Sequence, residues 1–357
     1  MTALLGRGFL RPDAPPRGTP DRPAGSKSVE LSITHRCTMR CRYCYSGHEV
    51  ASRDGPLDMS DDVLDAACEW AVYRFGRDCA HVHLTTGTTG EALLRPEACE
   101  RVRTNAVRLQ DASGKRISHA VGSTNLTLAA DEPVRALLSS AEHRVFCISI
   151  DGPSEIHDRM RIFPDGTGSY DKIVGSLAEL MQRGQRLGAQ AVITGDNPDV
   201  TRVFVHLCEL GFDSIILRPV RAPHHEPFAI GPKTIDGVKR GFSDLITFLL
   251  GCDDTTLLAY LRHLWHEGDF LGRFLIRVSS RSKLVYRCPA GKDWACVDTN
   301  GDIYPCPGMI GRPELRIGSI FSDIEEAGHR LYRTELLVTR KRSCLDCWAR
   351  YLCGGGC

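Results

Sequence analysis

Cys37-Thr-Met-Arg-Cys41-Arg-Tyr-Cys44 sets three thiols in a C-x3-C-x2-C spacing, just behind the alternation Val29, Leu31, Ile33. That alternation reads as a buried strand. Thiols packed so tightly in one loop are poor disulfide partners and a suitable three-point ligand set for a single iron–sulfur cluster. A four-iron cube held by three cysteines keeps one iron open, and an open iron can chelate the amino and carboxylate groups of a cofactor. The competing reading is a zinc site completed by His35 or His48. A second cysteine group follows far downstream. It runs Cys288-Pro-Ala-Gly291, Gly301-Asp-Ile-Tyr-Pro305-Cys306, then Cys344-x2-Cys347-x5-Cys353-x3-Cys357. The other seven of the sixteen cysteines (68, 79, 99, 147, 208, 252 and 296) are scattered. They are expected to be buried thiols acting as small hydrophobes.

The elements that must position these thiols alternate between strand-like and helical runs. Strands are expected at 29–33, 81–85, 117–121, 145–150, 189–193 and 214–218, with helices from Ser60, near 96–111, at 131–139, 170–187 and 199–210. Ser60 suits an N-cap, Asp61 and Asp62 suit the positive helix start, and Gly76 suits the exit. Six βα units imply an α/β fold with a parallel sheet and helices outside, either an open doubly wound sheet or a partial (β/α)6 barrel. Each strand ends in something polar or glycine-rich. These ends are the cysteine loop, Thr88-Thr89-Gly90-Glu91, Ser123-Thr124-Asn125, Ser149-Ile150-Asp151-Gly152-Pro153, Thr194, and Arg218-Pro219. Any one of these is an ordinary turn sequence. As an ordered set they point to one ligand touching all six carboxyl ends, which requires a curved sheet and favours the partial barrel.

With the three-cysteine loop and the aromatic Tyr43 before its last cysteine, residues 29–220 resemble the radical S-adenosylmethionine (radical SAM) superfamily. The resemblance implies a [4Fe–4S] cluster on Cys37, Cys41 and Cys44, and S-adenosylmethionine (SAM) as the cofactor. Tyr43 would lie against adenine, Gly90-Glu91 would receive the methionine amino group, and Ser149 and Asp151 would contact the ribose. Asn125 is placed in the same site. Arg161, in His157-Asp-Arg-Met-Arg161, would pair with the methionine carboxylate, with Arg159 as the competing choice, and Ile193 would pack beside adenine. The sequence departs from the family's Gly-Gly-Glu-Pro pattern at Thr89 and Ala92.

The downstream cysteines resemble the SPASM extension of radical SAM peptide-modifying enzymes, a small cysteine-rich domain for one or two auxiliary [4Fe–4S] clusters. In that pattern Cys288, Cys306 and Cys357 serve one cluster and Cys344, Cys347 and Cys353 the other. Both sets are one ligand short: the family continues to a further cysteine beyond position 357, and Cys252 and Cys296 are candidates for the first set. The competing reading is a pair of structural zinc sites. The resulting division is a leader at 1–28, a barrel at 29–225, a helical connector at 226–285 and the auxiliary domain at 286–357. In the connector a single helix is expected from Leu257 to Phe274.

The resemblance implies a peptide maturase. A 5′-deoxyadenosyl radical would abstract hydrogen from a ribosomal precursor peptide, and an oxidative crosslink (thioether or carbon–carbon) would form. A reducing partner such as flavodoxin or ferredoxin is implied, and a separate leader-binding protein is a further candidate partner. The alternatives are a formylglycine-type sulfatase maturase, a peptide epimerase and a non-catalytic metal-binding scaffold. Sulfatase maturases carry an acidic base after the cysteine matching Cys306, where this chain has Pro307. Composition is ordinary: 42% hydrophobic and 25% charged, with a formal charge of +1. That balance supplies no footprint for nucleic acid or membrane, and a cytoplasmic protein is expected.

Overall fold

The structure, a computed structural model, describes residues 25–46, 55–140, 142–182, 186–324 and 336–355 of the chain. The leader before residue 25, His48 and Cys357 lie outside these residues. The first strand, β1, is Ser26–Leu31, and α1 (Asp61–Trp70) starts where Ser60 accepts a hydrogen bond from the Val63 amide. There follow β2 (His81–Thr86), α2 (Pro96–Ser113), β3 (Arg116–Thr124), α3 (Glu132–Ser139) and β4 (Val145–Ser149). The short α4 (Ser154–His157) precedes α5 (Tyr170–Gln182), β5 (Gly188–Ile193), α6 (Val200–Glu209) and β6 (Ser214–Pro219).

These six strands pair in parallel, each with the next in sequence. A doubly wound sheet reverses its strand order at a switch point. This order never reverses, so every crossover winds the same way and the wall curves as a partial barrel. On β5 and β6, Ala189, Ala191, Ile193, Ile215 and Leu217 are fully buried under the helices, and Gln190, Val192, Ile216 and Arg218 alternate to the other face.

The connector holds three helices where one was expected: α7 (Ile235–Leu250), α8 (Asp254–Leu264) and α9 (Phe270–Ser280). The helix expected over 257–274 is broken at 265–269 because Asp269 starts a new one. The Asp269 carboxylate accepts the Gly272 amide at 2.8 Å, as an N-cap does, and the Leu217 amide of β6 at 2.7 Å. One buried carboxylate thus closes the free edge of the barrel and caps the helix that covers it. Helix α7 carries Val238, Leu245 and Leu249 on its buried face, a spacing visible in the sequence.

The cysteine-rich region continues the barrel sheet. Strand β7 (Trp294–Val297) pairs in parallel with β1, on the side away from β2. Three antiparallel strands extend from it, β8 (Asp302–Tyr304), β9 (Gly318–Ser319) and β10 (Asp323–Ile324). Two short helices, α10 (Arg342–Leu345) and α11 (Arg350–Cys353), follow. Strand β1 is therefore central in a ten-stranded sheet.

Asp269→Ala removes both edge and cap bonds. We expect a loss of about 1–3 kcal/mol, read as a lower urea midpoint at unchanged slope. An unaltered midpoint would show that the β6 edge is held by other contacts.

Candidate active site

The cysteine loop lies at the carboxyl end of β1, with Cys41 and Cys44 half-buried and Cys37 exposed. Its far side is laced to the 160–162 segment: the Arg40 amide donates to the Ile162 carbonyl (2.7 Å) and the Arg42 amide to Met160 (2.9 Å). Donors point at the first sulfur: the Met39 amide is 3.4 Å and Asn125 Nδ2 3.6 Å from Cys37 Sγ. Burial pushes the Cys41 thiol up to about 11, with the Arg161 guanidinium pulling it down. Such a loop fits an iron–sulfur cluster, which takes three thiolates at separate corners and is stabilised by N–H donors to sulfur. Among the described residues no three His, Cys, Asp or Glu side chains converge as a single metal ion needs. His35, a candidate fourth zinc ligand, is held elsewhere, its Nε2 at 2.6 Å from Asp298 Oδ1.

Asp151, just beyond β4, gathers the opposite side of the site. Its carboxylate accepts the Tyr43 hydroxyl and the Val192 amide (2.9 Å) and forms an ion pair with Arg161 Nε at 3.0 Å. Arg161 is 6% exposed, and its guanidinium lies 5.4 Å from the centre of the Tyr43 ring. Burial works against its charge, but Asp151 and its neighbours outweigh that and hold it firmly protonated. Arg159 is exposed. Of the two candidate arginines, Arg161 is thus the one buried against Asp151 and Tyr43. Its Nη groups make no hydrogen bond among the described residues, which leaves a fork for a carboxylate.

The Gly90–Glu91 turn presses on the backbone of the cysteine loop. Gly90 has φ +60°, and a Cβ there would sit 2.5 Å from the Thr34 carbonyl and 2.6 Å from that of Arg36. Only glycine fits. The Glu91 carboxylate is 2% exposed and turned inward, accepting Thr124 Oγ1 (2.8 Å), the Asn125 amide (2.7 Å) and the Leu93 amide (3.1 Å). It works as a strut between the turn and the end of β3. Thr89 Oγ1, beside Gly90, is buried without a hydrogen-bond partner, the kind of group a ligand satisfies. Asn125 holds the loop from below, its Nδ2 donating to Thr38 Oγ1 at 3.1 Å. Ser149 is half-buried at the end of β4. Ile193, expected beside adenine, is the last residue of β5 and fully buried, with Val192 on the other face of the strand.

The downstream thiols fall into two neighbourhoods. Cys306 Sγ and the Tyr45 ring each lie 3.8 Å from where a Cβ on Gly308 would be, which sets Cys306 near the first cysteine loop. Half-buried Cys288 lies beside α11: Arg287 Nη1 is 3.8 Å from Cys353 Sγ, and Gly354 (φ +74°) abuts the Tyr286–Arg287 backbone. Cys353 thus lies beside the segment that carries Cys288. Cys344 is buried and Cys347 exposed. Of the two candidate fourth ligands, Cys252 caps the end of α7 in the helix layer, donating to the Phe248 carbonyl. Cys296 is fully buried on β7, level with Glu30 of β1, with Ser32 Oγ at 3.4 Å.

Sequence reasoning missed the relay that fixes the Asp151–Arg161 loop. His157 Nδ1 accepts the Asp151 amide (3.2 Å), His157 Nε2 meets Ser169 Oγ (2.9 Å), and that hydroxyl donates to the Arg161 carbonyl (2.9 Å). The signal available was His157 itself, inside the motif that supplied Arg161. Burial pushes this imidazole down to about 4, so the folded chain keeps it neutral. The unfolded chain binds the extra proton first, so this contribution is complete above pH 6.5 and is lost as pH falls toward 4. We expect His157→Gln to flatten the decline in stability between pH 6.5 and 4 by about 2–4 kcal/mol. Parallel wild-type and variant curves from urea titrations at each pH would overturn the assignment.

The family model for the radical SAM superfamily matches residues 31–208. A serine-type anaerobic sulfatase-maturating enzyme of Bacteroides thetaiotaomicron is 24% identical, over 90% of this chain and 80% of that protein. A cysteine-type counterpart from Clostridium novyi is 22% identical, over 93% of this chain and 88% of that one. Among solved structures, native anSMEcpe with bound AdoMet superposes with a TM-score of 0.72 at 20% identity, covering 92% of this chain and 89% of its own. SuiB of Streptococcus suis bound to S-adenosylmethionine gives 0.59 at 15% identity, covering 94% and 73%. From the cysteine loop through α6, where the family model applies, the chain belongs to the radical SAM superfamily and is a radical SAM enzyme.

Proposed function

We propose that this enzyme is a peptide maturase that oxidises a residue of a ribosomally made precursor peptide and closes a thioether or carbon–carbon crosslink. A reduced [4Fe–4S] cluster with SAM supplies a 5′-deoxyadenosyl radical able to take hydrogen from an unactivated carbon. Cys37, Cys41 and Cys44 would hold that cluster. Arg161 would bind the methionine carboxylate, Tyr43 and Asp151 would frame the adenosine, and the Gly90 turn would receive the amino group. Cys288, Cys306, Cys344, Cys347 and Cys353, with Cys357 outside the described residues, would hold one or two auxiliary clusters, acceptors for the electron a net oxidation releases. A flavodoxin- or ferredoxin-type reductant is the partner this reading requires, and a separate leader-binding protein is a further candidate.

The observation that carries a crosslink over formylglycine is position 307. Formylglycine formation needs a base beside Cys306, and Pro307 has no proton-accepting side chain. Asp302, the nearest substitute in sequence, is committed to Arg316 at 2.7 Å. The formylglycine reading keeps support from the two sulfatase-maturating relatives, whose similarity runs through most of the chain.

Anaerobically reconstituted protein should hold roughly eight to twelve irons. Replacing Cys37, Cys41 and Cys44 by Ala should remove one cluster's worth and all SAM cleavage, whereas Arg161→Ala should keep the iron and weaken SAM binding by about 1.5–3 kcal/mol. Stoichiometric zinc with negligible iron would sink this reading. The reaction is decided by the mass of the cognate peptide after turnover. A crosslink loses two hydrogens; formylglycine from cysteine loses sulfur and gains oxygen; unchanged mass with one solvent deuteron would make this an epimerase.

A further inference from the structure

The inner face of the first three strands carries polar side chains in matched rows. Ser26, His81 and Arg116 stand level, and Ser28, His83 and Ser118 stand level one step nearer the cysteine loop. Residues two apart on a strand share a face, so both rows project together. With Arg144 and Phe146 they line a cleft of about 600 Å³ at the amino ends of the strands, the end opposite the cysteines.

The groups in this cleft are arranged but not consumed by one another. Ser118 Oγ lies 2.7 Å from His81 Nε2 and 2.7 Å from His83 Nδ1, which fixes both rings and leaves His81 Nδ1 and His83 Nε2 without a protein partner among the described residues. Arg116 and Arg144 are exposed, and neither guanidinium has an ion pair or hydrogen bond among the described residues. The lining carboxylate, Glu142, is held by Arg103 at 3.0 Å and does not neutralise them. Phe146 is 44% exposed in this polar setting, its ring 5.4 Å from that of His83.

We propose that the cleft is a binding site for a phosphate group, with Arg116 and Arg144 on its oxygens, Ser26, Ser28 and the one imidazole that accepts the Ser118 proton completing its hydrogen bonds, and the Phe146 ring facing whatever carries it. Two guanidinium forks with hydroxyl and imidazole donors offer more hydrogen bonds than a carboxylate can accept, and suit a phosphate. SAM carries no phosphate, so this site is separate from the cofactor's.

The test titrates the reconstituted enzyme calorimetrically with inorganic phosphate and with adenosine 5′-monophosphate at fixed ionic strength. Saturable binding is expected, weakened at least about tenfold by Arg116→Ala or Arg144→Ala, while SAM cleavage shows that these surface variants remain folded. A phosphorylated ring compound is indicated if the nucleotide binds more tightly and Phe146→Ala removes only that advantage. Equal affinities indifferent to Phe146→Ala indicate free phosphate. The proposal is overturned if neither probe saturates by about 10 mM, if both arginine variants bind as the wild type does, or if glutarate binds more tightly than phosphate.

Discussion

The Asp151 carboxylate is the contact on which the site's geometry depends. Three segments far apart in sequence end on it: the cysteine loop through the Tyr43 hydroxyl, β5 through the Val192 amide, and the 154–161 turn through Arg161. A buried carboxylate is costly unless paired, and a buried guanidinium equally so. Each here compensates the other, so losing either strands a charge, with typical costs of about 3–5 kcal/mol. The pair therefore fixes how the cysteine loop faces the ends of β4 and β5, and it does so before any cofactor is bound.

A second constraint runs through β1. The strand leading into the cysteine loop is hydrogen-bonded on both flanks, by β2 from the barrel and by β7 from the cysteine-rich region. Beyond its end, the Ser32 amide donates to the Val297 carbonyl, His35 meets Asp298, and Thr299 Oγ1 donates to the Pro56 carbonyl. The base of the loop is thus clamped by residues more than 240 positions away in sequence.

Much of this was legible in the sequence, and the limits have physical causes. All six barrel strands were readable because each buries an apolar stripe, and their ends were readable because turns need glycine, proline and short polar residues. Arg161 was preferred to Arg159 by its match to the family's motif, and the structure adds that Arg161 is buried on Asp151 while Arg159 is exposed. The joining of β7 to β1 was invisible, since a four-residue strand pairing across more than 260 positions leaves no local pattern. The single helix expected in the connector failed for the same kind of reason: Asp269 reads as one more helical residue until the β6 edge it serves is seen.

The inner wall of β1–β3 separates this barrel from the packed interior of a closed (β/α)8 barrel, which layers of branched apolar side chains fill. Here the inward positions are serine, histidine, arginine, threonine and glutamate with small Ala120 and Gly122 among them, and Glu30 survives burial because Thr85 Oγ1 (2.6 Å) and the Thr88 amide (2.9 Å) donate to it. Burial still pushes that carboxyl up, which offsets part of what a charged contact would contribute. Stability must then come from the outer layer, where Leu31, Leu84, Ile148, Phe204 and Leu217 are fully buried between sheet and helices. Holding the sheet from outside leaves the lumen free to be polar. Because β7 shares that sheet, Cys306 beside Tyr45 keeps its place relative to Cys44 through backbone pairing rather than through a flexible linker.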